Sequence, residues 1–427
     1  MDLSVEGKIY INGAFEQGCI GVENGKIVKI KKILKADEHY NFADKLILPA
    51  GVDIHVHFRD PGMIHKEDFY TGSLAAAFGG ISCVFDMPNN TPPVDNISCL
   101  DDKISIGSRK SVVDFGLFVG VTNNNIDSIE KLSRRCNGFK IYLGSSTLSL
   151  LFDKTNLPNV LDKFSSTGKP VLFHAEDEEC LIGHKQVEKN LFDHLSSRPA
   201  ICEEISIKEV LSVAHDFATN IHFCHVSSCD ALEVLKKHPG NVSFGVTPHH
   251  SLLNVEKNLV SQSFYKVNPP LRTSFDRESL FNAINNGFVD ILESDHAPHT
   301  KEEKDVDFDE APSGMPGVET MYPLFLYLVK KGFLSFQRLS SVLCARPAEL
   351  MGVSKGHIEK GFDADFIVVD LKNERRIKAE DLHSKCGWTP FEDWPAVFPE
   401  DVFIRGEKVI DDYEIQVNPG FGRFVGV

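Results

Sequence analysis

Residues 51–58 read Gly-Val-Asp-Ile-His-Val-His-Phe, two histidines one residue apart inside an apolar run. Strand alternation puts His55 and His57 on one face and Ile54, Val56 and Phe58 on the other. A buried imidazole needs a hydrogen-bond partner or a metal, because an unpaired polar group in a dry interior costs about 1–3 kcal/mol. Arg59 and then Asp-Pro-Gly follow at once.

This run is the first of eight. The others are Ser82–Pro88, Asp114–Gly120, Phe139–Gly144, Pro170–Glu176, Ile221–Ser227, Val242–Pro248 and Asp290–Ala297, separated by amphipathic, helix-like segments with one exposed face, such as Asp68–Phe78 and Ser206–Ala218. Eight β–α units in about 300 residues predict an α/β fold, a (β/α)8 TIM-type barrel with its helices outside. Residues 1–50 read differently, as short strands with Asn12-Gly13 and Asn24-Gly25 as hairpin signals. The stretches Gly361–Asp370 and Asp401–Asp412 share that style. The expectation is three segments: 1–50 and 354–427 joined as one small β-sandwich formed by both chain termini, and 51–353 as the barrel.

The 427 residues carry 45 Lys and Arg against 61 Asp and Glu, a net charge of −16. That balance argues against nucleic acid and anionic membranes as partners, yet leaves room for a small anionic substrate gripped by a few local cations. The ten cysteines form no CxxC pair. With no signal peptide or long apolar span in view, they read as mostly buried free thiols of a reduced, cytoplasmic protein.

In a barrel, chemistry gathers at the C-terminal ends of the strands. Those ends offer His55 and His57, Lys140, His174, His225, and Asp295 with His296. One histidine ending an apolar run is ordinarily a hydrogen-bonded core residue. Four strands contributing such groups to one interior demand a cation. Imidazole and carboxylate suit Zn²⁺, with Co²⁺ or Mn²⁺ as alternatives. His55, His57 and Asp295 can hold one ion, and His174 and His225 another. Lys140 beside two dications must be either a neutral amine or a carbamate, and the residues alone leave both open. Cys224, next to His225, is expected on the opposite face of its strand, as core packing.

The stretches 53–62, 66–93, 138–144, 173–176, 224–227, 246–250, 267–272 and 294–300 together resemble the dihydroorotase family of the amidohydrolase superfamily. The combination His-Val-His-Phe-Arg-Asp-Pro-Gly with Ser-Asp-His-Ala-Pro-His is specific, whereas HxH alone marks only the superfamily. The resemblance covers residues 50 to about 350 and extends into 361–370. It implies a cyclic amide hydrolase that reversibly closes N-carbamoyl-L-aspartate to L-dihydroorotate and water, the third step of pyrimidine (UMP) synthesis. It also implies two Zn²⁺ per chain, bridged by carbamylated Lys140 and a hydroxide, with His55, His57 and Asp295 on one ion, His174 and His225 on the other, and Asp295 as general acid and base.

For the substrate, Arg59 is the candidate for its carboxylate; the resemblance adds Asn89 and His299, with Asn268 and the backbone at Pro316 and Gly317 meeting the ring amides. Against this, Arg59 next to Asp60 reads as a surface ion pair, and Asn89-Asn90 as a turn. Ser146 and Thr147 read either as part of a lid or as a helix N-cap. Allantoinases and hydantoinases, whose substrates lack the carboxylate, are the near alternatives. A non-catalytic partner in a pyrimidine-pathway complex is the distant one. The resemblance leaves room for a homodimer and for association with aspartate carbamoyltransferase.

Overall fold

The structure, a computed structural model, describes residues 1–145, 150–237, 240–257, 259 and 261–426. Four strands open the chain: β1 (Leu3–Ile11), β2 (Ala14–Glu23), β3 (Lys26–Lys31) and β4 (Glu38–Pro49). Asn12 and Gly13, and then Asn24 and Gly25, all have positive φ, the geometry a two-residue hairpin between right-twisted strands requires. They set the β1–β2 and β2–β3 registers at Ile11 opposite Ala14 and Glu23 opposite Lys26.

The chain then enters the barrel. Its strands are β5 (Gly51–Val56), β6 (Ile81–Asp86), β7 (Asp114–Gly120), β8 (Gly138–Tyr142), β9 (Val171–His174), β10 (Ile221–Phe223), β11 (Val242–Val246) and β12 (Ile291–Leu292). Each pairs in parallel with the next. Closure comes from the His57 N–H donating to the His296 carbonyl at 2.8 Å and from the Val56–His296 bridge. All eight runs read from the sequence are strands of this barrel. Every residue of β5 through β10 is buried, which is why they read as continuous apolar runs rather than alternating ones.

Two helices differ from the expected segments. Phe69–Phe78, capped by Asp68, has both faces covered, because Phe78 stacks on His383 at 3.6 Å between ring centroids. Ala200–Ala214 starts six residues before the expected segment, immediately after Pro199, and ends four residues before it.

After the barrel come β13 (Phe366–Val369), β14 (Arg375–Arg376), β15 (Pro395–Ala396), β16 (Asp401–Ile404), β17 (Glu407–Asp411) and β18 (Glu414–Ile415). Strands from both termini form one eight-stranded sheet in the order β18-β17-β16-β13-β4-β1-β2-β3. It curls on itself: Val5, Ile20, Ile27, Ile47, Phe366 and Phe403 share one core, and the Ile27 N–H reaches the Phe362 carbonyl. Not all of 354–427 lies there. β14 and β15 pair only with each other, and the tail returns to the barrel, where Phe115 and Arg423 to Val425 exchange backbone hydrogen bonds. Buried Lys355 ties the two parts together, lying 2.7 Å from Asp114 on β7 and 2.6 Å from Asp365 beside β13.

The cysteine expectation is corrected at one pair: Cys180 and Cys202 form a disulfide, with Cα atoms 5.4 Å apart where helix Glu178–His184 meets the start of helix Ala200–Ala214. The other eight are free, six of them buried. Among the described residues, no helix is long and apolar enough to cross a membrane.

Candidate metal centre and substrate cavity

The C-terminal ends of β5, β9, β10 and β12 deliver the histidines and the aspartate to one place. His55 Nε2 lies 3.4 Å and His57 Nε2 3.1 Å from the same Asp295 oxygen. The ligand atoms of these three buried residues all fall within 4.8 Å of one another. Beside them, His174 Nδ1 and His225 Nε2 face each other at 3.2 Å. Lys140 is fully buried on β8.

Arg59, His225 and Asp295 all have positive φ, at 61°, 39° and 45°. A non-glycine residue held in that region costs on the order of 1–3 kcal/mol and persists only where its surroundings fix it. Here the His225 N–H is pinned by the Glu293 carboxylate, and Ser294 and His296 on either side of Asp295 donate to Asp53 and to the Ser294 hydroxyl.

These residues fit a metal ion. His57 Nδ1 is held by the Asn89 carbonyl oxygen at 2.6 Å and His174 Nε2 by Glu176 at 2.8 Å. Each partner fixes one ring nitrogen and aims the other at the cluster, as in metal-binding histidines generally. Burial pushes His57 down to about 4 and His225 well below its ordinary value, so both present the neutral imidazole that ligates. For Asp295, burial works upward, but His55 and the His57 hydrogen bond outweigh it and hold the carboxyl well below the usual range.

Above the cluster opens a cavity of about 440 Å³, whose lining includes all five of these residues. A groove of about 970 Å³ beside β1–β3 shares no residue with it.

Residues 46–409 match the family model described as the amidohydrolase family. The chain belongs to the amidohydrolase family. It is 42% identical to a dihydroorotase of Thermoplasma acidophilum over 100% of this chain and 98% of that one. It is 39% identical to a dihydroorotase of Methanosarcina acetivorans, covering 98% and 94%. Among solved structures it resembles the L-hydantoinase of Arthrobacter aurescens, with TM-score 0.94, 27% identity and full coverage of both chains. The family resemblance and the barrel fold read from the sequence are thus both borne out.

The expected substrate residues of this amidohydrolase divide. Arg59, Asn89, Asn268 and His299 line the cavity. Arg59 is only 7% exposed; its Nε donates to the Pro298 carbonyl at 3.2 Å and its Nη2 lies 3.4 Å from His299. Asp60 pairs with Lys110 instead, so the surface ion-pair alternative is excluded. Asn89 points to the centre, while Asn90 shapes the turn by accepting from buried Lys103.

Pro316 and Gly317 are corrected, because they lie outside the cavity lining. The Ala297 N–H donates to the Met315 carbonyl, so the returning chain puts Pro312, Ser313 and Gly314 at the mouth and the Gly317 N–H behind, on His296. Cys224 does pack in a buried core cluster with Ile54, Phe85 and Leu172, but the face expected for it is corrected. β10 ends at Phe223, the alternation stops there, and the Cys224 thiol lies 3.0 Å from Lys140 Nζ. Ser146 and Thr147 lie outside the described residues.

Sequence reading passed over two groups. Tyr142 lines the cavity with a buried hydroxyl that has no partner, and its place two residues after Lys140 on the same strand was the available signal. Lys66 Nζ lies 3.1 Å from His299 Nδ1. Burial, then the charges of Arg59, Lys66 and Lys304, depress His299 far below its ordinary value, leaving it neutral.

Proposed function

We propose that this amidohydrolase interconverts N-carbamoyl-L-aspartate and L-dihydroorotate, the ring-closing step of pyrimidine synthesis, through a binuclear zinc centre. The observation that carries the reading is Arg59. It is a buried guanidinium at the cavity wall, and among the described residues no carboxylate lies within ion-pair distance of it. A buried cation without a counter-ion is costly unless the ligand brings the charge. Dihydroorotate carries a carboxylate beside its ring amide; hydantoin and allantoin do not. The relatives named dihydroorotase support the same choice.

In this reading His55, His57 and Asp295 would hold one Zn²⁺ and His174 and His225 the other, with Lys140, as its carbamate, serving as a further ligand. Bound zinc supplies Lewis acidity and lowers the pKa of water from about 15.7 towards about 7. The chain's own residues do the rest. Arg59 takes the substrate carboxylate through its planar fork, with His299 beside it, and Asn268 lines the same cavity to meet the ring. In the hydrolytic direction water adds to the ring carbonyl, the carbon–nitrogen bond breaks, and the proton lost by water ends on the leaving nitrogen. Asp295, ionised at neutral pH, carries that proton across. Asn89 and Glu176 keep the imidazoles aimed while this happens.

The test is turnover of dihydroorotate, allantoin and hydantoin by the wild type and by Asp295→Asn. Dihydroorotate alone should turn over in the wild type, and the variant should lose on the order of 10³-fold or more in kcat. Near-wild-type turnover by Asp295→Asn with its metal still bound refutes the proton-carrying role.

A further inference from the structure

Beside Arg59 the cavity wall carries a chain of hydrogen bonds whose middle member is His299. This residue is 7% exposed and sits just before helix Lys301–Lys304. Burial and the charges of Arg59, Lys66 and Lys304 keep its ring neutral, so one nitrogen carries a proton and the other accepts one. Which nitrogen is which decides what this wall can bind.

Lys66 makes the choice. Its Nζ lies 3.1 Å from His299 Nδ1 and is itself anchored 3.1 Å from Glu303 Oε1. An ammonium only donates, so Nδ1 is the accepting nitrogen and the ring proton sits on Nε2. The rival acceptor for a proton on Nδ1 is Glu303 Oε2. It stands 3.6 Å away, beyond hydrogen-bond reach, and already takes the Thr300 N–H at 3.1 Å. Across the ring, the Ser313 carbonyl lies 3.1 Å from Nε2, ready to accept its proton. Buried Lys304 fixes that carbonyl by donating to the neighbouring carbonyls of Pro312 and Gly314 at 2.7 and 3.2 Å.

Arg59 Nη2 approaches His299 Nε2 at 3.4 Å, and with the proton on Nε2 both atoms are donors. Two donors cannot satisfy each other, whereas an anionic oxygen placed beside them accepts from both. We propose that Lys66 is a positioning residue that locks His299 as its Nε2–H tautomer, so that this wall presents only donors and selects a carboxylate. The arriving carboxylate then replaces the Ser313 carbonyl as acceptor of the Nε2 proton. In the opposite tautomer Nε2 would bear a lone pair, which repels a carboxylate and suits a ring N–H such as that of hydantoin. The choice of substrate here rests on the dihydroorotate reading; the tautomer does not.

Nitrogen-15 spectra of the histidine rings read the tautomer directly, with the His299 signals assigned by their loss in His299→Gln. Wild type should show a protonated Nε2 and a bare Nδ1, Lys66→Met should lose this single form, and Lys66→Arg should keep it. In turnover, Lys66→Met should raise KM for dihydroorotate about 10-fold or more, as expected for a weakened hydrogen bond to a charged group, with kcat within about twofold. Its neutral carboxamide analogue should be affected far less, and Lys66→Arg should recover most of the loss. A wild-type proton on Nδ1 overturns the proposal even if no variant folds. So does a Lys66→Met that keeps the wild-type KM or loses equally on both compounds. A wild type with the Nε2–H form, lost in Lys66→Met, but without dihydroorotate turnover upholds the role of Lys66 and refutes the proposed reaction alone.

Discussion

Replacing Arg59 with alanine isolates the choice of substrate from the metal chemistry. The side chain is 7% exposed and its fork is held by the Pro298 carbonyl beside His299, so a carboxylate bound there is withdrawn from water. Truncating one partner of a buried, hydrogen-bonded charge pair costs about 2–5 kcal/mol. At about 1.4 kcal/mol per tenfold, that is a loss of about 30- to 4000-fold in kcat/KM for dihydroorotate. No protein carboxylate is orphaned by the change, so the fold and the zinc content should hold. The assay is initial rates in both directions on dihydroorotate and on its neutral carboxamide analogue. Wild type should discriminate strongly between the two, Arg59→Ala should not, and Arg59→Lys should recover only part, because an ammonium lacks the bidentate fork. A variant within threefold of wild type on dihydroorotate, or one that loses equally on both compounds, refutes the reasoning.

Three further outcomes follow from other contacts. Asn89→Ala frees His57 Nδ1 and should weaken zinc binding about 10- to 100-fold in a chelator competition; unchanged affinity would count against Asn89 as the group that aims His57. Lys355→Met leaves Asp114, Asp363 and Asp365 buried or half-buried without their shared cation. It should cost about 3–5 kcal/mol in urea unfolding, and a shift below 1 kcal/mol would show that the clamp is dispensable. Glu188 is pulled upward by burial, but His194 and Lys266 outweigh this and hold it at about 2 against an ordinary 4.5. A depressed carboxyl contributes stability that is present above its unfolded value and lost as pH falls through the folded one. The urea midpoints of wild type and Glu188→Gln should therefore differ most near pH 6 and converge towards pH 3, whereas a constant gap would contradict the assignment.

Most of the barrel was legible because a parallel strand buried on both faces leaves a plain trace: an apolar run ending in a polar residue. His55, His57, His174, His225 and Asp295 were readable for the same reason, each standing where a strand meets the cavity. What failed was decided by contacts distant in sequence or by the precise end of a strand. Cys224 packs in a core as expected, but its face was misread because β10 stops at Phe223 and the positive φ of His225 breaks the alternation. Pro316 and Gly317 were misplaced because the return of Met315 onto Ala297 is a pairing 18 residues apart that no local pattern announces. The helix Phe69–Phe78 read as half-exposed because its outer cover, the segment around His383, comes about 300 residues later. Arg59 was ambiguous for a simpler reason. Its neighbour Asp60 is adjacent in sequence, but Lys110 takes it in space.

The most direct test of the central claim is a comparison of kcat/KM for dihydroorotate, hydantoin and allantoin on the same zinc-loaded protein, before and after chelation. The account predicts turnover of dihydroorotate in both directions, little or none of the other two, loss on chelation and recovery with added Zn²⁺. Faster turnover of hydantoin or allantoin, or dihydroorotate turnover that survives removal of the metal, would contradict it.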